Sequence, residues 1–459
     1  MQADPAFPSA HLRPATGWVN DPNGPFRWRD RYHLFFQHNP AGPMHGDICW
    51  GHVSSADLTT WRQEPVALVP TPGGPDSGGC WSGCVVDDDG VATAVYTGLV
   101  DDPRVATVCL AYAEDDALRR WRKNATPVAL PPPGVGWLGF RDPFLFDVDG
   151  HRYAVVGAGA LDGHASVLVY SCDDLHRWEH RGDLLDGRDP VASVLAPAEI
   201  WECPQLVRLA DRWVLIVSLV HHDSLTRVAY LVGDVTVEDG APRFLPSAGG
   251  LVDSGHDFYA PAVLVMDGRV LLWGWTWEDR DAEEVLASGW AGALTWPREL
   301  GLTDDGRLVS SPAREVEGLR TASAEPAVRD GRLPLPPGPV EVELSMDGGG
   351  VTTVSLSQAE RPGVVLSVDP GGGRVSLRRT AFEESRRPWT TEGTLPVGDR
   401  VDVRLVVDGS VVEVYVAGGP VFTERVYPTA AGAWVLGVEG PSAPGCKVAV
   451  HRLRPVLDA

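Results

Sequence analysis

Ser55-Ala56-Asp57-Leu58-Thr59-Thr60-Trp61 recurs as Asp115-Asp116-Ala117-Leu118-Arg119-Arg120-Trp121 and again as Cys172-Asp173-Asp174-Leu175-His176-Arg177-Trp178. The shared Leu-x-x-Trp ending advances by 60 residues, from Trp61 to Trp121, and then by 57, to Trp178. Recurrence at a steady period marks a repeated supersecondary unit, and one four-stranded propeller blade with its loops uses about that much chain. Chance recurrence of an Asp-Leu-Trp surface turn is the poorer explanation of two near-equal intervals. Five such blades fill residues 1–312.

The segments around the repeat are all-β in character. Tyr32–Phe36, Val91–Tyr96, Arg152–Val156 and Trp213–Val217 are short runs of β-branched and aromatic residues set between Gly, Pro and Asp clusters, the pattern of strands. Asp149-Gly150 and Asp267-Gly268 stand where hairpin turns would close. Residues 313–326, with Glu315-Val316-Glu317-Gly318-Leu319-Arg320 inside them, form a connector that is partly helical. Beyond it tryptophan becomes rare, and runs such as Val340–Leu344, Val401–Val407 and Val411–Val416 alternate apolar with polar residues. That pattern predicts a β-sandwich over 327–459, apolar in and polar out. The predicted fold is a five-bladed propeller followed by a C-terminal sandwich.

Composition narrows the function. At 459 residues the chain exceeds one ordinary core. A formal charge of −23 opposes binding to nucleic acid or an anionic membrane, and no apolar run approaches the length of a membrane helix. The N-terminal residues lack the basic and apolar regions of a secretory signal, so with Met1 as the native start the expected location is cytoplasmic. Seven scattered cysteines read as buried thiols. Cys80 and Cys84 have no partners at zinc spacing, and His221-His222-Asp223 has no third ligand spaced for it, so no metal is expected. The 17 tryptophans are mostly core, although aromatic faces also suit sugar rings.

Three acidic motifs stand out: Trp18-Val19-Asn20-Asp21-Pro22-Asn23-Gly24, Phe140-Arg141-Asp142-Pro143 and Trp201-Glu202-Cys203-Pro204. Their placement predicts that they lie on the inner strands of the first three blades, each stiffened by a proline. Singly, each is an ordinary turn or ion pair. Jointly, and in register with the repeat, they converge at one end of the central channel. Like charges held together split their pKa values, and glycoside cleavage needs one attacking carboxylate and one acid for the leaving oxygen. No organic cofactor or metal is required.

These motifs resemble those of glycoside hydrolase family 32, the invertase and fructan-hydrolase family, and the resemblance runs over nearly the whole chain. It implies Asp21 as nucleophile, Asp142 as binder of the fructosyl hydroxyls and Glu202 as acid/base. It further implies substrate contacts from Asn20, Gln37, Trp50, Trp81, Ser82, Arg141 and Tyr259. Trp81-Ser82-Gly83 differs from the family's Phe-Ser-Gly element by Trp for Phe. Tyr96-Thr97-Gly98, Asp257-Phe258-Tyr259-Ala260 on an inferred fourth blade, Trp273-Gly274-Trp275 and Arg425-Val426-Tyr427-Pro428 match as well. The implied activity is retaining hydrolysis of the terminal fructosyl bond of sucrose or short fructans, with a small sugar as the partner molecule. Fructosyl transfer, hydrolysis of sucrose 6-phosphate and non-catalytic sugar binding are the alternatives, and the oligomeric state is open.

Overall fold

The computed structural model describes residues 4–458 except 348–349, 359–360, 381–388, 396, 397, 399, 429–432 and 442. Five antiparallel sheets follow one another along the chain. Their innermost strands are Gly17–Trp28, Gly79–Asp88, Trp137–Val148, Ile200–Leu209 and Phe258–Met266, and the fifth blade ends with Leu308–Pro312.

The repeat that announced the propeller is a turn with a mechanism of its own. In blades I, II and III the indole Nε1 of Trp61, Trp121 and Trp178 donates to the carbonyl of Leu58, Leu118 and Leu175, at 3.1, 2.9 and 3.0 Å. The leucine is buried each time, and an Asp side chain (Asp57, Asp115 or Asp174) accepts from backbone N–H groups of the turn. The turn leads into the outermost strand of its blade.

The hairpin turns also behave as their residues dictate. Asp149 and Gly150 both have positive φ (54° and 81°), as do Asp267 and Gly268 (48° and 75°), the backbone of a two-residue turn that matches strand twist. The ring closes where Trp290–Ala291 pairs in parallel with Gly17 and Trp18. There the buried Arg13 guanidinium donates to the carbonyls of Ala291 and Gly292 at 3.1 and 2.7 Å.

One sequence expectation needs correction here. Asp21 lies on blade I, but Asp142 lies on blade III and Glu202 on blade IV. Blade II carries Trp81-Ser82-Gly83 at the equivalent place and contributes no acid, and Asp257-Phe258-Tyr259-Ala260 opens blade V rather than blade IV. The Leu-x-x-Trp turn ends a blade while the acidic motifs begin one, so counting from the turns shifts the register.

Within the expected connector 313–326, a 3-10 turn at Arg314–Leu319 is followed by strand Arg320–Ala324, which pairs with Lys447–Leu453. The sandwich consists of two six-stranded antiparallel sheets around a core that includes Val342, Leu344, Leu405, Phe422, Leu366 and Leu436. Its strands depart from polar-out alternation in one sheet: Val411–Val416 is buried throughout. The outer face of that sheet packs on the propeller, with Val406, Tyr415 and Val421 joining Leu271, Trp273 and Trp296 in one cluster. Charged residues on that side are buried in pairs. Arg298 of blade V donates to Asp253 at 2.7 Å and to Glu413 of the sandwich at 2.8 Å, with all three side chains inaccessible to solvent.

Candidate active site

The site is built from one backbone irregularity repeated around the ring. The antiparallel ladder of every inner strand breaks at the same depth: at Val19/Pro22, Trp81/Gly83, between Arg141 and Phe144, at Glu202/Gln205 and at Tyr259/Ala262. Four of the five breaks hold a proline, at positions 22, 143, 204 and 261, which cannot donate to a ladder. The residues before three of these prolines have positive φ, Asp142 at 64°, Cys203 at 46° and Ala260 at 45°. Such bulges re-aim side chains, and strained backbone of this kind clusters at functional sites. Positions 21, 82, 142, 203 and 260 are therefore equivalent, and so are 20, 81, 141, 202 and 259.

These residues meet at a pocket of about 310 Å³ lined by Trp18, Asn20, Asp21, Gln37, His45, Trp81, Arg141, Asp142, Glu202, Leu225, Tyr259 and Trp275. Asp21 is held by amide and hydroxyl donors. Asn20 Nδ2 reaches its Oδ1 at 3.2 Å, and Gln37 Nε2 and Ser82 Oγ reach its Oδ2 at 3.0 and 2.6 Å. The backbone N–H of Cys203 donates to Asp142 Oδ2 at 3.0 Å. The Cys203 thiol itself stands 3.7 Å from Asp21 Oδ2 and 3.5 Å from Asp142 Oδ2, so one sulfur touches both carboxylates. Glu202 is gripped at both oxygens: Arg141 Nε donates to Oε1 at 2.8 Å and Tyr259 OH to Oε2 at 2.8 Å.

Four polar atoms on this lining are buried without a hydrogen-bond partner: Trp18 Nε1, Asn20 Oδ1, Arg141 Nη1 and Trp275 Nε1. Buried polar atoms are rarely left so, and three donors with one acceptor around a pocket suit a ligand rich in hydroxyl groups. Aromatic rings continue the wall, with Trp18 against His45 and Trp275 at 6.0 Å between centroids and His45 against Trp81 at 6.3 Å.

Charge crowding perturbs the acids. Burial, and then the Asp142 charge, raise Asp21 to about 7 against the pull of the Ser82 hydrogen bond. Burial and Glu202 raise Asp142 to about 6, with Arg141 and Cys203 opposing. Burial pushes the Cys203 thiol well above its ordinary value, so it stays protonated between the two carboxylates. Such a cluster titrates as a unit and retains a proton up to near neutrality.

Of the residues singled out from sequence, Asp21, Asp142, Glu202, Asn20, Gln37, Trp81, Arg141 and Tyr259 line this pocket. Ser82 does not; it is buried and acts on Asp21. Trp50 does not either. It is fully buried, and its indole donates to the Trp81 carbonyl at 3.0 Å, seating Trp81 instead. Cys203, one of the cysteines read as buried thiols, meets both carboxylates, while Trp18, His45, Leu225 and Trp275 line the pocket without having been expected there. The 61, 60, 61 and 57-residue spacing of positions 21, 82, 142, 203 and 260 was the signal that could have found Cys203. The expectation that His221 and His222 lack a third ligand also fails, because Glu199 approaches them, with ligand atoms of all three within 4.8 Å of one another. Both histidines are exposed, and Glu199 is already hydrogen-bonded to the His222 backbone at 3.0 Å.

The description "Glycosyl hydrolases family 32 N-terminal domain" matches residues 11–312, and "Glycosyl hydrolases family 32 C terminal" matches residues 315–440. The chain belongs to glycoside hydrolase family 32. It is similar to a sucrose-6-phosphate hydrolase of Salmonella typhimurium, at 33% identity over 94% of this chain and 90% of that one. It is also similar to a raffinose invertase of Escherichia coli, at 34% identity over 92% of this chain and 90% of that one. Among solved structures, a family 32 β-fructofuranosidase of Bombyx mori superposes with a TM-score of 0.82 at 28% identity, covering 99% of this chain and 95% of the other. A variant of that silkworm enzyme has been solved in complex with sucrose. Membership in family 32 agrees with the propeller and the sandwich described above.

Proposed function

We propose that this β-fructofuranosidase cleaves the terminal fructosyl bond with Asp21 as nucleophile, Glu202 as acid/base and Asp142 as the carboxylate that binds the fructosyl hydroxyls. The observation that carries the reading is the unequal setting of the acids. Glu202 sits between two donors, Arg141 and Tyr259, while Asp21 sits among Asn20, Gln37, Ser82 and Cys203. Asp21 attacks C2 of the fructosyl unit as Glu202 gives its proton to the departing oxygen. The C2–O bond breaks and an ester to Asp21 forms. Glu202, now anionic, is stabilised by Arg141 and Tyr259 and takes a proton from water, whose oxygen displaces Asp21. Two displacements give net retention. Fixed donors that need no rearrangement as charge moves favour such a step.

The lining also bears on the leaving group. Among the described pocket residues there is no lysine, and the single arginine, Arg141, is engaged by Glu202. A phosphate dianion there would face three carboxylates and aromatic rings without a free cation to pair with. We therefore read the substrate as an unphosphorylated fructoside such as sucrose, although relatives carry the name sucrose-6-phosphate hydrolase. Initial rates on sucrose, sucrose 6-phosphate, 1-kestose, inulin and levan test this. Equal glucose and fructose from sucrose, with kcat/KM above that for sucrose 6-phosphate, are expected. A tenfold preference for the phosphorylated sugar would sink the reading, and glucose in excess with new trisaccharides would indicate transfer.

We further place the catalytic propeller in the residues to Pro312 and the sandwich domain from Arg320 onward, because Arg320–Ala324 pairs with Lys447–Leu453.

A further inference from the structure

The loop that leads into blade V is attached to the sandwich as though it were one more strand. Ser254 N and Asp257 N donate to the carbonyls of Val421 and Thr423 at 2.8 and 3.1 Å. Thr423 N and Arg425 N donate back to Asp253 Oδ1 and Asp257 Oδ2 at 3.0 and 2.6 Å. A Cβ added at Gly255 would stand 2.3 Å from the Thr423 backbone, so the two chains touch main chain to main chain.

Asp257 is the centre of this attachment, and it is inaccessible to solvent. Its Oδ2 accepts from Arg379 Nη1 and Arg425 N, each at 2.6 Å, both groups belonging to the sandwich. Its Oδ1 accepts from Trp277 Nε1 at 2.6 Å and meets His256 Nδ1 at 2.7 Å. Trp277 lies stacked on Tyr259, with ring centroids 5.7 Å apart and planes 25° from parallel. Tyr259 is the donor to Glu202 Oε2. An unbroken series of short contacts thus runs from Arg379 through Asp257, Trp277 and Tyr259 to Glu202.

We propose that Arg379 of the sandwich is a positioning residue for the acid/base carboxylate, acting through Asp257, Trp277 and Tyr259. This rests on the assignment of Glu202 above. Simple attachment of one domain to the other would need Asp257 to be bonded to the sandwich. It would not need the opposite carboxylate oxygen to orient an indole whose ring sets the plane of the tyrosine touching Glu202. Without the Arg379 charge, Asp257 would be left in a buried site with the carboxylates Glu424 and Asp279 nearby, keeping His256, Trp277 and the Arg425 N–H as bonded partners and Arg227 as a more distant cation. Its hold on Trp277 would slacken, and the Tyr259 hydroxyl would lose its fixed place. At the other end, Glu202 faces Arg141, Asp142, Asp21, Cys203 and Tyr259. Weakening the Tyr259 donor misplaces the carboxyl for proton transfer, where displacements of about 1 Å cost up to ~100-fold in rate.

The test compares Arg379→Met, Arg379→Lys, Trp277→Phe, which keeps the stack but removes the indole N–H, and Tyr259→Phe in the full chain. Thermal melting and kcat, KM and pH profiles on sucrose are measured for each. Arg379→Met and Trp277→Phe are expected to lower kcat about tenfold, with KM within about twofold. Both should change the pH profile in the same sense as Tyr259→Phe, which removes the same donor. Arg379→Lys should restore most of kcat. Wild-type kcat and profile in folded Arg379→Met, alongside a shifted Tyr259→Phe, overturn the relay. If Arg379→Met does not fold, a wild-type profile in Trp277→Phe does the same. Wild-type turnover in Glu202→Gln overturns the acid/base assignment, and the relay with it.

Discussion

Arg141 Nε donates to Glu202 Oε1 at 2.8 Å across the boundary between blades III and IV. The two residues hold equivalent places on neighbouring inner strands, each one residue before a positive-φ bulge position. The repeat therefore brings them together even though 61 residues separate them. It also explains how an acid and the cation that stabilises its anion can be placed by one structural device used twice.

That contact depends on a missing side chain. A Cβ built on Gly139 would lie 2.3 Å from Arg141 Nη1, and Gly139 does not need a left-handed backbone. Gly139→Ala should therefore displace the guanidinium and lower kcat/KM on sucrose at least tenfold. The midpoint of thermal unfolding should move by only a few degrees. Unchanged kcat/KM would show that the guanidinium is not needed at that position.

Replacing Glu202 by Ala should reduce turnover by about a thousandfold or more, since proton donation and water activation are lost together. Azide needs no general base, so adding it should restore the second step for an activated fructoside and yield a fructosyl azide. Product of retained configuration, assigned by NMR, supports Asp21 as nucleophile. Inverted product would move that role elsewhere.

The raised acids carry a sign for stability. Asp21 is raised to about 7 and Asp142 to about 6, in each case first by burial. Each is uncharged in both folded and unfolded chains well below its ordinary value of 3.8. Between that value and the raised one, only the unfolded chain ionises, so folding stability falls as pH rises through this window. Asp21→Asn should thus melt a few degrees higher than the wild type at pH 7 and near the wild-type temperature at pH 4, while losing activity. Equal shifts at both pH values would contradict the raised value.

The interface between propeller and sandwich should be acid-sensitive by the opposite logic. Burial opposes ionisation of Glu413, but Arg298 and His11 hold it down to about 2. Its stabilising contribution is present above its ordinary value of 4.5 and is lost as pH falls toward 2. Arg298→Met leaves Asp253 and Glu413 buried without the guanidinium that joins them and should cost about 3–5 kcal/mol in urea unfolding. It should also move acid unfolding to higher pH. A loss under 1 kcal/mol would mean that the pair is compensated locally.

The propeller was legible because its repeat is a local device. An Asp that caps a turn, a leucine that fills it and a tryptophan that bonds the leucine carbonyl all lie within a stretch of seven residues at most. The same locality misled the assignment of motifs to blades, because the turn marks the end of a blade and the acid its beginning. Asp21, Asp142 and Glu202 were readable as candidates from the prolines beside them. Ser82 was readable too, but as a sugar contact, whereas it is a donor to Asp21.

By itself, the sequence determined which residues turn, which strands pair with their chain neighbours and which carboxylates stand beside a strand-breaking proline, since all these depend on bonds between residues close in the chain. Only the tertiary structure decided that Trp50 stands behind Trp81, bonded to its carbonyl, and that Cys203 touches two carboxylates. It alone showed that Asp257 answers to Arg379, 122 residues away. Closing the ring turns five similar bulges toward one axis, and docking the sandwich buries charges that must then find partners from distant parts of the chain.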